Sequence, residues 1–244
     1  MGSTGIVVRG GRLGARGGDV QREPLKGTIS EWENPLRRRE IEPDIEHGAL
    51  YNDRGEPIVG YRGERHSVAV DRRVLDMPNA TFTHYHPDKS FGGTLSMQDL
   101  KVFSRSNLRE LRAVSGQGQL YSIRANGNVD REGLRKWVNS NQKMAQKNFN
   151  QAYSRALKEA TTPLKSGPHK GEVKLTTRRT VRGADGQRRE VRTVTYRKPM
   201  TQQQAINYAR ATSVGMFDRM YSKALSRYGV TYTSTKAGRN YGRK

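Results

Sequence analysis

The chain has no cysteine among its 244 residues. That removes disulfide frameworks, Cys-rich zinc modules, thiol nucleophiles and the zinc deaminases, whose metal site needs a Cys pair. It fits a reducing compartment. Aromatic residues make up only 7% and hydrophobic residues 33%, so part of the length is expected outside any core. No apolar run approaches the roughly 18 residues of a membrane span, and residues 1–20 lack the apolar centre of a signal peptide. A cytoplasmic chain without a membrane partner is the expectation. Its length suits one large domain or two small ones.

Acids are the other shortage. Lys and Arg number 45 against 23 Asp and Glu, a net charge of +22. Residues 1–128 hold 19 basic and 16 acidic residues, while 129–244 hold 26 and 7. One half is near neutral and the other carries +19. A field of that size attracts polyanions and releases their counterions, so nucleic acid or an acidic protein surface is the expected partner. A basic surface that only aids solubility is the plainer alternative.

Composition divides the chain further. Seven of the first eighteen residues are Gly, with Arg9, Arg12 and Arg16 among them, so residues 1–27 read as a flexible arm. Residues 28–128 form a compact module. Its strands fall at 47–52, 57–61, 67–70, 80–84, 110–114 and 119–124, with one helix opening at Ser96 and running to about Asn107. Residues 129–233 form a basic region of two long helices and a β-hairpin. Asp130 caps the first helix, whose stripe runs Leu134, Trp137, Val138, Ala145, Phe149, Ala152, Tyr153, Ala156 and Leu157. The second starts at the capping box Thr201–Gln204 and stops at Gly229; its stripe of Met216, Phe217, Met220, Tyr221, Ala224 and Leu225 is expected to pack on the first. Residues 234–244 are a basic tail. The fold class is α+β.

Two features carry chemistry. The hairpin, strands 172–182 and 188–198, crowds Arg178, Arg179, Arg182, Arg188, Arg189 and Arg192 near its tip. A two-stranded ribbon fits the DNA major groove or follows a phosphate backbone, and salt-sensitive, sequence-independent binding is expected. A basic protrusion on another protein is the alternative.

The second feature is histidine. Of five in the chain, His84 and His86 stand two apart at a strand end, so both rings project from one face and can grip one ion. Asp99, in the first turn of the next helix, can add an oxygen ligand. Two His and one carboxylate leave one position of a tetrahedral zinc open for water, the pattern of a hydrolytic site. Each residue also has a plain role: the histidines as strand residues ended by Pro87, Ser96 and Asp99 as a helix cap, Glu46 as a surface acid.

His84-x-His86-Pro87 followed by Ser96-x-x-Asp99 resembles the signature of the JAMM (JAB/MPN-like) metalloproteases, over about residues 46–125. The resemblance implies a small JAMM-like module with mostly antiparallel strands. It implies zinc held by His84, His86 and Asp99, with Ser96 steadying an oxyanion. It also implies a water-binding Glu on an early strand, for which Glu46 is the best match and Glu56 and Glu64 are substitutes. One departure stands: twelve residues separate His86 from Asp99, more than the family usually has. The stretches Thr83–Pro87 and Leu108–Val114 are also similar to a domain at the ends of phage minor head proteins. That likeness implies a virion or host-cytoplasmic setting, with capsid or portal proteins as partners. Two functions follow: a zinc peptidase or isopeptidase, or a structural virion protein whose basic half binds nucleic acid or a capsid neighbour.

Overall fold

A computed structural model describes residues 5–8, 20–38, 40–87, 94–182 and 187–235, without the side chains of 177–182, 188–190 and 210. The chain is α+β and divides into two compact units, one of Met1–Ala145 with Phe217–Lys244 and one of Gln146–Met216. Among the described residues no helix is long and apolar enough to cross a membrane.

The first unit begins with β1 (Gly5–Val8) and β2 (Gln21–Glu23), followed by α1 (Ile29–Arg37). Next come β3 (His47–Tyr51), β4 (Pro57–Arg62), β5 (Ser67–Val70), α2 (Arg73–Asp76) and β6 (Thr81–His86). Helix α3 (Met97–Arg105) crosses to β7 (Glu110–Ser115), and β8 (Leu120–Ala125) returns. Helix α4 (Arg131–Thr161) leads into the second unit with β9 (Val173–Arg182) and β10 (Arg188–Arg197); α5 (Gln202–Ala224) leads back to β11 (Val230–Thr235).

A seven-stranded sheet in the order β11-β8-β7-β6-β3-β4-β2 forms the centre of the first unit. Every neighbouring pair is antiparallel except β6 and β7, which are parallel and joined through α3. A parallel pair needs such a crossover, and a helix starting beyond the strand's carboxyl end places its first turn beside that end. On one face α1 packs through Leu36 against Tyr85 and Val114. Thr28 caps α1 in a reciprocal box with Glu31. The other face holds Phe82 and the histidines of β6, with α3 and the separate parallel pair β1–β5.

Two differences from the sequence reading concern organisation. The segment expected as a flexible arm contains β1 and β2: Ile6 is fully buried and Gln21–Glu23 pairs with β4. Glycine abundance hid the short apolar run Ile6-Val7-Val8, which is enough for a strand when a partner edge is waiting. The unit boundary also falls inside α4 and α5 rather than at residue 129, because Leu134 and Val138 are buried and β11 adds to β8.

The second unit is held by Ala160, Val173, Leu175 and Ala205, with Leu157, Met200 and Tyr208 against them. Its β9–β10 hairpin is antiparallel over ten residues in each strand. The helix starts follow local chemistry. Asp130 Oδ1 accepts the Gly133 N–H at 2.8 Å, and the Thr201 and Gln204 side chains cap each other's backbone. Gly229 stops the run of helix at φ 72°, the left-handed region glycine enters freely. Tyr221, on the expected stripe of α5, donates its hydroxyl to Leu95 O at 3.0 Å and stacks on Phe217, so that end of the helix packs into the first unit.

Candidate metal centre

Period-two alternation along β6 sends Phe82, His84 and His86 to one face and Thr81, Thr83 and Tyr85 to the other. The histidines close the carboxyl end of the strand. Asp99 enters from the first turn of α3, held there by the cap: Ser96 N–H donates to Asp99 Oδ2 at 2.7 Å, and Asp99 N–H donates to Ser96 Oγ at 3.1 Å. The carboxylate that caps the helix is therefore also the one that could ligate a metal. The longer spacing between His86 and Asp99 does not keep them apart. Part of that spacing, residues 88–93, lies outside the described residues.

His84 Nε2 lies 2.8 Å from His86 Nε2 and 3.4 Å from Asp99 Oδ1, and His86 Nε2 lies 3.6 Å from Asp99 Oδ2. All three side chains are buried. His84 Nδ1 is 2.7 Å from the Arg112 carbonyl, a partner that can only accept. Its Nδ1 must therefore carry a proton, and Nε2 is the nitrogen turned toward His86 and Asp99. Zinc bound at about 2.0–2.2 Å would set tetrahedral ligand atoms about 3.3 Å apart. The measured separations bracket that figure, and the N,N,O donor set suits zinc, so the residues fit the ion. The group can hold a metal.

Electrostatics agree. Burial pushes the Asp99 carboxyl up, but the facing His84 and His86 and the Ser96 N–H outweigh it and hold Asp99 well below the usual carboxylate range.

Glu46 precedes β3. Gly48 pairs with His84 at the end of the β3–β6 ladder, and Glu46 stands two residues before Gly48. Its backbone is fixed on the other side, Glu46 N–H to Glu64 O at 2.9 Å and Gly63 N–H to Glu46 O at 2.8 Å. The carboxylate is fully buried, and neither oxygen has a hydrogen-bond partner of good geometry. Burial raises its pKa well above the ordinary value, the Asp99 charge raises it further, and the nearby Val68 backbone opposes both. A buried carboxylate without well-placed partners is costly, and the Asp99 charge that acts on it belongs to the group that could hold a metal. Glu56 instead bonds Asn52 in the exposed β3–β4 turn, and Glu64 is exposed, so Glu46 alone of the three approaches the cluster.

Comparison with protein-family models, curated proteins and solved structures finds no match.

Of the hairpin arginines, the side chains of Arg178, Arg179, Arg182, Arg188 and Arg189 lie outside the described set, and Arg192 is exposed. The backbone ladder pairs Arg178 with Arg192 and Arg182 with Arg188. Three interactions escaped the sequence reading. Arg112 reaches His84 through its backbone, Glu33 grips Arg112, and the Ile6 N–H donates to Asp99. The last two span 79 and 93 positions; no local pattern announces them.

Proposed function

We propose that the chain is a zinc-dependent peptide or isopeptide hydrolase of JAMM-like design. The observation that carries this reading is the buried Glu46 carboxylate, with no hydrogen-bond partner of good geometry and under the influence of the Asp99 charge, together with the convergence of His84, His86 and Asp99. His84, His86 and Asp99 would hold the ion. Bound zinc would polarise the scissile carbonyl and lower the pKa of water toward about 7. Glu46 takes the proton from the attacking water and returns it to the leaving amine. A raised proton affinity suits that shuttle, and the ion's charge would bring it back toward working pH. Ser96 has an accepting role toward Asp99 N–H, which leaves its hydroxyl proton free to donate to the oxyanion. The virion setting rests on the likeness to phage minor head proteins.

A second reading keeps the fold as a packing module and gives the function to the hairpin. The ladder that sets Arg178 against Arg192 and Arg182 against Arg188 favours it. Like charges directly opposite destabilise a strand pair unless an anion relieves them. Nucleic acid, or an acidic capsid or portal surface, would supply that anion.

Metal content decides first. Purified chain is compared with His84→Ala/His86→Ala after both are offered excess zinc. About one zinc per chain, lost in the variant, is expected. Peptide and isopeptide substrates then follow, with Glu46→Gln as the control that keeps zinc and loses turnover. A wild-type chain that takes up no zinc overturns the hydrolase.

A further inference from the structure

Strand β1 lies parallel to β5, with Gly5 opposite Ser67 and Val8 opposite Val70, and packs on its other side against α3. The Ile6 N–H donates to Asp99 Oδ1 at 3.1 Å, and the Ile6 carbonyl accepts from Gln98 Nε2 at 3.3 Å. In a parallel ladder the residues alternate: one turns both its backbone groups to the neighbour, the next turns both away. Ile6 is a residue turned away from β5, and α3 takes both groups it presents. The main chain is thus read on both sides, by β5 through Gly5 and Val7 and by α3 through Ile6. The Ile6 side chain is fully buried, whereas Val7 and Val8 are half-buried. Four residues in a two-stranded sheet have little stability of their own, so the slot holds the strand.

We propose that the slot between β5 and α3 is a binding site for an extended peptide with an aliphatic residue at the Ile6 position, and that Gly5–Val8 occupies it in cis. Backbone pairing along a sheet edge accepts many sequences, and the single buried side chain supplies the selection. The slot offers α3's two bonds to the main chain and full burial of one aliphatic side chain, which suits a peptide strand rather than a nucleic acid. Asp99 belongs to both slot and metal centre, so a peptide laid there runs beside His84 and His86. That such a peptide is a substrate, and that β1 therefore holds the site closed, rests on the hydrolase reading. Peptide capture does not.

The test uses the full chain, free of metal in chelator, and a fluorescent peptide of residues 3–10. Ile6→Asp places a carboxylate at a fully buried side-chain position, on the residue whose N–H meets Asp99, and should expel β1. A covered site binds more weakly in proportion to the fraction of time it stands open, so Ile6→Asp should bind the peptide at least about tenfold more tightly than wild type. The same peptide with Asp in place of Ile should bind neither. Equal binding by both chains, or none by a folded Ile6→Asp chain, overturns the proposal. Hydrogen exchange on the unaltered chain decides the matter if Ile6→Asp does not fold. Amides of residues 5–8 should exchange at least about tenfold faster than those of β6, as a separately opening element does. Exchange at the β6 rate would make β1 a fixed part of the core and overturn the proposal. Zinc content enters neither measurement, so the peptide site and the hydrolase can fail independently.

Discussion

The imidazole of His84 is held by a backbone atom of Arg112: its Nδ1–H donates to that carbonyl at 2.7 Å across the parallel β6–β7 pair. The Arg112 side chain is itself fixed. Its guanidinium meets Glu33 of α1 through two bonds, of 2.7 and 2.8 Å, and Glu33 also accepts the Thr83 hydroxyl at 2.8 Å. An imidazole is aimed by what its other nitrogen bonds, and for His84 that partner is strand backbone pinned by a nearly buried ion pair.

Glu33→Gln should therefore reach the metal centre without touching it. The variant keeps the shape of the side chain but takes from a mostly buried guanidinium its bidentate counter-charge, with only Glu110 Oε1 at 3.1 Å remaining, at a cost of up to about 3 kcal/mol. Zinc affinity, measured by competition with a chromophoric chelator, should fall about tenfold as β7 loosens under the His84 ring. Thr83→Val, which removes one neutral hydrogen bond to the same carboxylate, should cost about 1 kcal/mol and leave zinc affinity in place. Equal zinc affinity in wild type and Glu33→Gln would separate the ion pair from the ligand.

Gly48 gives a steric version of the same test. It pairs with His84, and a Cβ there would come within 2.6 Å of Phe82 Cζ and 3.5 Å of Val68 Cγ2. The Phe82 ring is fully buried, stacked on the His84 ring at 6.0 Å and tilted against Tyr61, so it has no open space to enter. Gly48→Ala should destabilise the chain by about 1–3 kcal/mol, the usual cost of overpacking, and pass the displacement to His84. Thermal unfolding together with a zinc titration reads both effects. A stable variant with intact zinc affinity would mean the ring moves freely.

Acid sensitivity should come in part from His47. Burial is the largest influence and lowers its pKa below 6.5; Glu23 on β2 and Glu42 raise it, and Arg62 on β4 lowers it. Below pH 6.5 the unfolded chain binds a proton that the folded chain refuses, so stability falls as pH drops toward the folded value and then levels. His47→Gln should flatten the acid limb of Tm against pH in metal-free protein. Parallel limbs for variant and wild type would remove His47 as a cause.

How much of this was legible depended on the range of the interaction. The His84/His86 pair follows from a strand's period of two, and Asp99 in a first turn from the Ser96 cap; both are encoded within four residues. The hairpin and the Thr201–Gln204 box were legible for the same reason. The β6–β7 pairing is parallel, and β11 returns to β8 after more than a hundred residues. Such pairings are chosen by the whole sheet. The hold of Ile6 on Asp99 and of Glu33 on Arg112 were hidden for that reason, and Ile6 also lay in a glycine-rich stretch that argued for a loose arm.

The hairpin offers a prediction that does not involve zinc. If the facing pairs Arg178–Arg192 and Arg182–Arg188 grip phosphates, each grip releases condensed counterion from the duplex. Binding of the full chain to a random-sequence duplex should then weaken steeply with salt. Replacing the four arginines with Ser should reduce the magnitude of the slope of log K against log salt by about 3–4, near 0.9 for each phosphate no longer neutralised. Arg54 and Arg65, exposed in the first unit, serve as controls: Arg54→Ser/Arg65→Ser removes charge elsewhere and should leave the slope nearly unchanged. Comparing the two variants separates a local grip from a general attraction of +22 for a polyanion. A similar small drop in both would mean that the net field binds the duplex and the hairpin register has no part in it.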